Sequence, residues 1–422
     1  MRSLACEAVG KEVMPLQRRT VLKGMIAAGI TALGAPAVRA QPAPIRIGLL
    51  TVKSGPLEEG GVQMEQGILS FLKDKDYTLA GRKVEFVSAD TGGNPSVALS
   101  KAREFAELGH IDFILGPLVS FELLTISNYV AQHKIPTMSL AGADDITQRT
   151  PNPYLVRATA SSSQAMHPMG HYAATEMRLK RVATICEDFF FGYEQMGGFQ
   201  QVFQDNGGQV VKKLWTPLMT PDDTPYIEEI RDVDGVCQGF TGSNPLKFMK
   251  QYSDSGLKLP VCGGETAGDD ALLTQFGDDA VGLITASPYT IDFDSDANRK
   301  FKELMAKDYN ATPGFFAAGL YVTGMVVEAA LMALHGDLSN KEATIQALRA
   351  VRLGDTPRGP LYFDDHGNVV GNIFIRRIEK AGGKLTNVTL KTYENVNQFW
   401  PYQEQEYLRR PSYSREWPPV AG

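Results

Sequence analysis

The chain has 422 residues, of which 43% are hydrophobic and 21% are charged, and this ordinary globular composition excludes disorder and collagen-like structure. A formal net charge of −6 argues against a nucleic-acid-binding protein, which would carry a basic surface, and four cysteines are too few for a disulfide scaffold. At ~150 residues per domain, the length predicts two or three domains.

The first 40 residues are predicted to be an export signal. A basic stretch with Arg18 and Arg19 precedes an apolar run over 24–38, and small residues follow up to Ala40. This order is typical of secretory signals, and the paired arginines resemble a twin-arginine signal. The alternative is a membrane anchor, but the apolar run has only about 15 residues against the ~20 that a spanning helix needs. We expect cleavage after Ala40 and no membrane-spanning segment further along.

Strands and helices alternate through the mature chain. Asn94 and Pro95 predict a helix start, because Asn caps a helix and Pro at its first position loses no needed N–H. Short apolar runs predict strands at 45–50, 84–87, 111–115, 135–140, 182–185, 209–214, 235–237, 259–261 and 281–286. Strands separated by helices form mostly parallel sheets through right-handed crossovers. Their number predicts two α/β domains, with a break near Ser161.

The character of the chain changes toward its C-terminus. Two long helices, which end near Tyr309 and Leu334, are followed by a helix over 341–351. Further strands are predicted at 360–363, 369–378 and 385–393. The tail 394–422 contains the aromatic residues Phe399, Trp400, Tyr402, Tyr407, Tyr413 and Trp417. Since aromatic side chains are stabilised by burial, we expect the tail to pack on the body.

Familiar catalytic motifs are absent from the sequence. It has no G-x-x-x-x-G-K-[ST] phosphate loop, no G-x-S-x-G nucleophile elbow, no H-E-x-x-H motif and no C-x-x-C pair. Cys186, Cys237 and Cys262, which remain after removal of the signal, are interpreted as buried thiols in strands. We therefore predict no catalytic residue, no cofactor and no enzymatic activity.

Two kinds of polar pattern could still suggest chemistry. His167 and His171 are four residues apart on a predicted helix and could face one metal ion, but a metal site needs three or four ligands. Aspartate doublets occur at 144–145, 222–223, 269–270 and 278–279. Because neighbouring side chains diverge, we interpret the doublets as turns and helix starts. No metal site is predicted.

A binding role is the remaining expectation for an exported α/β protein of this kind. Ligands of open α/β sheets bind outside the carboxyl ends of the strands. The residues at these ends are Gly55, Ser120, Ala141, Gly142, Phe240, Thr241, Gly264 and Glu265. They are small, polar or aromatic, which suits a pocket that closes on a small polar molecule.

A series of short motifs runs through the mature chain. In order, they are Ile47-Gly48-Leu49, Ser54-Gly55-Pro56, Asn94-Pro95-Ser96, Ile114-Leu115-Gly116-Pro117, Ile135-Pro136-Thr137-Met138-Ser139, Gly314-Phe315-Phe316-Ala317-Ala318-Gly319 and Arg358-Gly359-Pro360. Over nearly all of 44–393, their order and spacing resemble the periplasmic solute-binding proteins of the leucine/isoleucine/valine-binding type. These proteins serve ABC importers.

The resemblance implies the type I periplasmic-binding-protein fold, with two doubly wound α/β lobes joined by a hinge of three crossovers. Lobe 1 would comprise 41–160 and 288–355, and lobe 2 would comprise 161–287 and 356–393. The lobes of such proteins close around a ligand. The resemblance also implies a soluble monomer in the periplasm that works with an ABC permease and its ATPase.

The resemblance carries over binding residues position by position. Ser120 matches the serine that, with nearby backbone N–H groups, holds the ligand carboxylate. Ala141 and Gly142 match a turn whose backbone faces the amino acid, and Glu265 matches the acidic residue that pairs with the ligand ammonium. From the residues alone, Ser120 could instead be only a helix cap, and Glu265 could form a rim salt bridge.

The sequence departs from the family pattern at other positions. Ala143 stands where the family has a carboxylate-binding threonine, and Gly60 stands where an aromatic side chain covers the ligand. Phe240 or Thr241 falls near a tyrosine of the second lobe, although Phe240 could also be a core residue. The disulfide of the first lobe is missing, since no cysteine lies between 7 and 185.

The expected function is therefore capture of a small carboxylate, either an amino acid or an aromatic acid, for an ABC importer. The departures above weaken the case for a branched-chain amino acid, and the aromatic tail resembles a subgroup associated with aromatic carboxylates. A ligand sensor on the same fold, which would signal to a membrane receptor, is the alternative. An exported enzyme is a third hypothesis, which the missing motifs disfavour.

Overall fold

The computed structural model of the protein describes residues 43–418. The predicted export signal, with Arg18, Arg19 and the cleavage position after Ala40, lies outside the described residues. Within these residues, strands and helices alternate as predicted, and the strands form two separate sheets.

The first sheet contains six strands: β1 (Ile45–Thr51), β2 (Thr78–Leu79), β3 (Arg82–Asp90), β4 (Phe113–Leu115), β5 (Thr137–Met138) and β6 (Leu155–Val156). Its strand order is β2-β3-β1-β4-β5-β6, and all neighbours pair in parallel except β2 with β3. The helices of this part of the chain are α1 (Glu58–Asp74), α2 (Pro95–Glu107) and α3 (Ser120–Gln132). The predicted start of α2 is confirmed, because Asn94 Oδ1 accepts hydrogen bonds from the N–H groups of Ser96 and Val97.

The second sheet contains nine strands: β7 (Arg181–Glu187), β8 (Gln209–Thr216), β9 (Gly235–Gln238), β10 (Val261–Gly263), β11 (Ile284–Ser287), β12 (Arg352–Leu353), β13 (Leu361–Phe363), β14 (Val369–Ala381) and β15 (Lys384–Val396). Strands β7 to β11 pair in parallel, whereas β12 to β15 add an antiparallel edge through β14 and β11. The remaining helices are α4 (Met166–Thr175), α5 (Phe190–Asp205), α6 (Thr224–Ile227), α7 (Asn244–Asp254), α8 (Asp296–Tyr309), α9 (Phe315–Ala333), α10 (Lys341–Ala350) and α11 (Glu404–Arg409).

One apolar core lies against the first sheet and extends to strands β13 and β14 of the second sheet. It also includes Phe301 of α8, Leu320 of α9 and Leu348 of α10, so the chain returns to the first sheet after β11. Two further clusters lie against β7 to β11 of the second sheet. The expectation that no later segment is long and apolar enough to span a membrane was wrong, because α9 has 19 residues and meets both criteria. In the structure, 78% of the most apolar stretch of α9 is buried inside the protein.

The chain passes between the two sheets three times in the described residues: from β6 to β7, from β11 to α8, and from α10 to β12. The first passage is bonded to the turn between β13 and β14. Arg157 N–H donates to the Gly367 carbonyl at 2.8 Å, and Val369 N–H donates to the Arg157 carbonyl at 3.0 Å. The chain that leaves the first sheet after β6 is thus bonded to the second sheet.

The segment after β15 packs on the body of the second sheet. Phe399, Tyr407, Tyr413 and Trp417 are buried and form an aromatic cluster. Tyr402 and Arg410 bond the carboxylate of Asp205 in α5 at 2.6 and 2.9 Å. Aromatic burial and ion pairing therefore hold this segment against α5.

The predicted histidine pair contacts aromatic residues. His167 Nε2 lies 3.2 Å from the Tyr413 hydroxyl, and His171 Nδ1 lies 2.9 Å from the Tyr393 hydroxyl. Across residues 43–418, no cluster of three or more His, Cys, Asp or Glu could hold a metal ion. The cysteines at 186, 237 and 262 are unpaired and buried in β7, β9 and β10.

Candidate functional site

A cleft opens between the two sheets at the carboxyl ends of their parallel strands. About 470 Å³ of space in the cleft, part of it open to solvent, is not filled by protein atoms. Its lining residues are Leu57, Gly60, Leu118, Val119, Ser120, Leu140, Gly142, Phe189, Phe191, Thr241, Gly242, Glu265, Thr266, Phe315 and Phe316. The first-sheet wall comes from α1, α3 and α9, and the second-sheet wall comes from the start of α5 and from the loops after β9 and β10.

The walls are mostly apolar and carry four phenyl rings. Phe189 and Phe191 come from the start of α5, and Phe315 and Phe316 come from the start of α9. At the rim, the Phe121 ring meets the Phe189 ring edge to face, with centroids 6.0 Å apart. The lining residues named above include neither Lys nor Arg. A ligand held here would have an apolar body and would find no basic side chain to neutralise an acid group.

Ser120 supplies a hydroxyl at the first residue of α3. It is 2% exposed, and its Oγ has no hydrogen-bond partner among the described residues. The helix cap is Val119, and no side chain makes the cap hydrogen bond. The N–H groups in the first turn of a helix lack intrahelical partners and lie at the positive end of the helix dipole. Ser120 therefore adds a free hydroxyl to a set of donors suited to an anion.

Glu122 lies in the same first turn and was not singled out from the sequence. Its side chain is fully buried, and this burial raises the pKa of the carboxyl to about 7. At neutral pH, a large fraction of Glu122 is therefore uncharged. This reduces repulsion between the start of α3 and an anionic ligand.

Gly142 brings backbone close to the second-sheet side of the cleft. An added Cβ would lie 2.2 Å from Ser162 Oγ, so only glycine fits without movement. The Gly142 carbonyl accepts hydrogen bonds from the Ser162 N–H at 2.9 Å and from Arg157 at 3.1 Å. The turn is thereby fixed at the first passage between the sheets.

Glu265 follows β10 and is 2% exposed. Its Oε2 has no partner among residues 43–418. Burial raises the pKa of this carboxyl well above its usual value, while the positive charge of Arg358 opposes that shift. Glu265 can therefore donate a hydrogen bond as a neutral acid, or it can pair with a cation that a ligand brings into the cleft.

Phe316 occupies the place beside Gly60. A Cβ added at Gly60 would lie 2.9 Å from the Phe316 ring. The Phe316 ring of α9 thus fills the space beside Gly60, and the glycine leaves room for it.

The structure brings five of the eight predicted site residues to the cleft lining: Gly60, Ser120, Gly142, Thr241 and Glu265. The other three are not lining residues. Phe240 is fully buried, with its ring 4.9 Å from that of Phe248. Ala141 and Ala143 belong to the apolar cluster beside α3. Residue type alone could not separate these positions, because the direction in which a loop side chain points depends on the path of the backbone.

Sequence reasoning missed the four phenyl rings of the lining. Phe315 and Phe316 belong to a motif that the sequence analysis assigns no ligand contact, and Phe189 and Phe191 lie at the start of α5. The available signal was a pair of aromatic residues at each helix start. Aromatic pairs also occur in apolar cores. They indicate a binding cleft only once the structure shows that both helix starts line the same cleft.

The sequence matches a known family over most of its length. A family model described as "Periplasmic binding protein" matches residues 44–384. Among curated proteins, "Leu/Ile/Val-binding protein homolog 6" of Brucella suis biovar 1 is 27% identical over 362 residues, which is 83% of this chain and 92% of that protein.

Solved structures give the same result for the fold. A solute-binding protein of an ABC transporter from Rhodopseudomonas palustris BisB5, in complex with 3,4-dihydroxybenzoic acid, superposes with a TM-score of 0.80 at 28% identity. The match covers 84% of this chain and 98% of that one. Another from R. palustris, in complex with benzoate, has a TM-score of 0.79 at 25% identity and covers the same shares.

Proposed function

This chain belongs to the periplasmic binding protein family, and on that premise we propose that it captures a small carboxylic acid with an aromatic or branched apolar body. The acid is held in the cleft beside Ser120 and is delivered to the permease of an ABC importer. The family is one of substrate-binding proteins of ABC transporters rather than enzymes, so the ligand leaves unchanged. We propose a monomer as the working unit.

The observation that carries this proposal is the unpartnered hydroxyl of Ser120 at the start of α3. A buried polar group without a partner costs free energy, and a ligand oxygen would remove that cost. Free N–H groups at a helix start favour a negative ligand group for the same reason. A carboxylate bound there can be held without a lysine or arginine.

The phenyl rings favour an aromatic acid as the body of the ligand. Aromatic pairs contribute about 0.5–1.5 kcal/mol beyond the burial of area. Phe189 and Phe191 line one wall of the cleft, and Phe315 and Phe316 line the other. The related solved structures that contain 3,4-dihydroxybenzoic acid and benzoate support this choice.

Glu265 favours a second candidate, an apolar amino acid. A buried carboxyl without a full set of partners could pair with the ammonium group of such a ligand. The names of the Brucella relatives point in the same direction. The two candidates differ in one group, because a benzoate carries no ammonium.

We also infer the lobes and the hinge. Lobe 1 comprises 41–160 and 288–355, lobe 2 comprises 161–287 and 356–393, and the tail that follows packs on the body over the described residues 394–418. The three passages between the sheets and the two apolar clusters that lie against β7 to β11 support this division. The lobes rotate about the passages, and the rims that carry Phe121 and Phe189 separate when the cleft opens.

We propose export by the twin-arginine route with cleavage after Ala40. Replacing Arg18 and Arg19 together by Lys is expected to leave the precursor in the cytoplasm. The N-terminal sequence of the exported protein should begin at Gln41. Normal export of the double-lysine variant would contradict the route without affecting the binding proposal.

A thermal-shift screen tests the ligand class. The panel contains benzoate, 4-hydroxybenzoate, 3,4-dihydroxybenzoate, cinnamate, L-leucine and L-isoleucine. A ligand that binds only the folded protein stabilises it by about 2.7 kcal/mol at 100 times its Kd. We expect at least one aromatic acid to raise the Tm. A rise with the amino acids alone would select the second candidate.

A further inference from the structure

Asp269 connects the two walls of the cleft although it is not a lining residue. It lies in the loop after β10, on the second-sheet side, and is 1% exposed. Its Oδ1 accepts a hydrogen bond from the Phe315 N–H at 2.8 Å, and its Oδ2 accepts one from Gln63 Nε2 at 3.2 Å. Phe315 begins α9 and Gln63 lies in α1, and both helices pack in the core of the first sheet.

The start of α9 depends on this carboxylate. The cap residue of α9 is Gly314, which has no side chain to satisfy the N–H groups of the first turn. An added Cβ at 314 would lie 2.2 Å from Asp269 Oδ1. A carboxylate at a helix start is stabilised by the helix dipole, so Asp269 caps α9 from the opposite wall.

The loop that carries Asp269 is anchored on its own side. Asp270 forms an ion pair with Arg376 of β14 at 2.6 Å, and both side chains are completely buried. Arg376 also donates to the carbonyls of Gly268 at 3.1 Å and Glu265 at 3.3 Å. The loop from 265 to 270 is therefore fixed to the second sheet.

The elements joined by Asp269 also carry the lining of the cleft. Glu265 lies four residues before it on the same loop. Phe316 follows the capped residue in α9, and Gly60 precedes Gln63 by three residues in α1. A change in the bonds of Asp269 would therefore change the separation of both walls at the ligand.

We propose that Asp269 is a positioning residue that fastens the second-sheet wall to α1 and α9 in the closed cleft. Its two hydrogen bonds form when the walls meet and break when they separate. Loss of Asp269 then favours the open arrangement and speeds ligand release. The effect on ligand affinity depends on the proposed function, whereas the effect on opening does not.

Conservative replacement separates hydrogen bonding from charge. In Asp269→Asn, the side-chain oxygen can still accept from the Phe315 N–H. Gln63 Oε1 has no partner among the described residues, so a turned Gln63 amide can accept from the new NH₂ group. Asp269→Asn should resemble the unaltered protein, whereas Asp269→Ala loses both bonds. Asp278→Ala is the control, because Asp278 is an exposed carboxylate between β10 and β11 that pairs with Lys380 of β14.

Small-angle X-ray scattering of the mature proteins without ligand measures opening. We expect a larger radius of gyration for Asp269→Ala than for Asp269→Asn, Asp278→Ala and the unaltered protein. Equal radii for all four would overturn the proposal. If Asp269→Ala does not fold, Gln63→Leu replaces it, and its radius should also increase; an unchanged radius would count against the proposal in the same way.

Binding of 3,4-dihydroxybenzoate gives the second readout. We expect Asp269→Ala to raise Kd at least tenfold, mainly through faster dissociation, while the Asn variant stays within threefold. A lower Tm with unchanged Kd and radius would show that Asp269 only caps α9. 3,4-Dihydroxybenzoate could bind none of the proteins while the radius of gyration still increases in Asp269→Ala. That result would reject this acid as the ligand and would support the role of Asp269.

Discussion

Gly60 of α1 and Phe316 of α9 lie side by side in the same wall of the cleft: a Cβ at Gly60 would lie 2.9 Å from Cε2 of the Phe316 ring. The position of this ring therefore depends on the absence of a side chain at Gly60. Gly60→Ala should push the ring toward the ligand space. Extra methyl groups in packed sites cost about 1–3 kcal/mol, so we expect a lower Tm. We also expect a threefold to tenfold higher Kd for the bound acid, measured by isothermal titration calorimetry.

Gly354→Ala is the matched control, because an added Cβ at 354 meets nothing within 4 Å. It should leave both Tm and Kd nearly unchanged. If Gly60→Ala behaved like this control, Phe316 would not be held against the ligand space.

Ser120→Ala should weaken ligand binding without destabilising the protein. The hydroxyl has no partner among the described residues, so its removal breaks no bond within the protein. A hydrogen bond to a charged group contributes about 1.5–3 kcal/mol, which corresponds to a roughly tenfold to 100-fold rise in Kd for a carboxylate. Titration calorimetry and thermal unfolding measure the two effects.

Ser88→Ala serves as the comparison for this change. Ser88 in β3 also has a buried hydroxyl without a partner in the described part of the chain, but it is not a lining residue of the cleft. The Kd of Ser88→Ala for the carboxylate should equal that of the unaltered protein. An equal Kd for both alanine variants would remove Ser120 from the binding site.

Glu265→Gln should stabilise the ligand-free protein increasingly as the pH rises. Burial raises the pKa of Glu265 in the folded protein, whereas the unfolded chain loses this proton near pH 4.5. Above that pH, the folded state holds the extra proton, so the stability of the unaltered protein falls relative to the variant by at most about 1.4 kcal/mol per pH unit. Chemical denaturation between pH 4 and 8 measures this difference, and parallel stability curves would contradict it.

The same variant distinguishes the two ligand classes. Glu265→Gln should leave the Kd of benzoate-type acids within about threefold, because these ligands bring no cation. It should raise the Kd of leucine by tenfold or more if the ammonium pairs with Glu265. An unchanged Kd for every amino acid that binds would exclude this pairing.

His167 should make the protein sensitive to acid. Burial lowers the pKa of His167 to about 3, and the nearby charge of Arg410 acts in the same direction. The unfolded chain takes up this proton near pH 6.5, so stability is lost as the pH falls from about 6.5 toward 3, by at most about 1.4 kcal/mol per unit. His167→Gln should lose less stability than the unaltered protein between pH 7 and 4.5. His133→Gln, a substitution of an exposed histidine just after α3, is the control variant.

Much of the fold could be predicted because its signals are local. Asn94 and Pro95 mark a helix start in two consecutive residues, and the structure confirms it. Predicted strands were less accurate next to prolines: the run 259–261 became β10 at Val261–Gly263, because Pro260 has no N–H to donate to a neighbouring strand. The antiparallel edge around β14 was not predicted, since hydrophobic pattern does not specify the direction of a strand.

The site was harder to predict because its contacts join distant parts of the chain. Gly60 and Phe316 lie far apart in sequence, and neither residue type indicates the other. Asp269 and Asp270 look like an ordinary turn in the sequence, yet one caps α9 and the other neutralises a buried Arg376. Such roles follow only from the arrangement of the two sheets.

Calorimetric titration of the mature protein with 3,4-dihydroxybenzoate, in parallel with Ser120→Ala, tests the central claim most directly. We expect one molecule to bind per chain in the micromolar range, which corresponds to about −8.2 kcal/mol, and a Kd at least tenfold higher in the variant. If neither this acid nor any other carboxylate of the screening panel binds, or if one binds equally well to both proteins, the account of the cleft is contradicted.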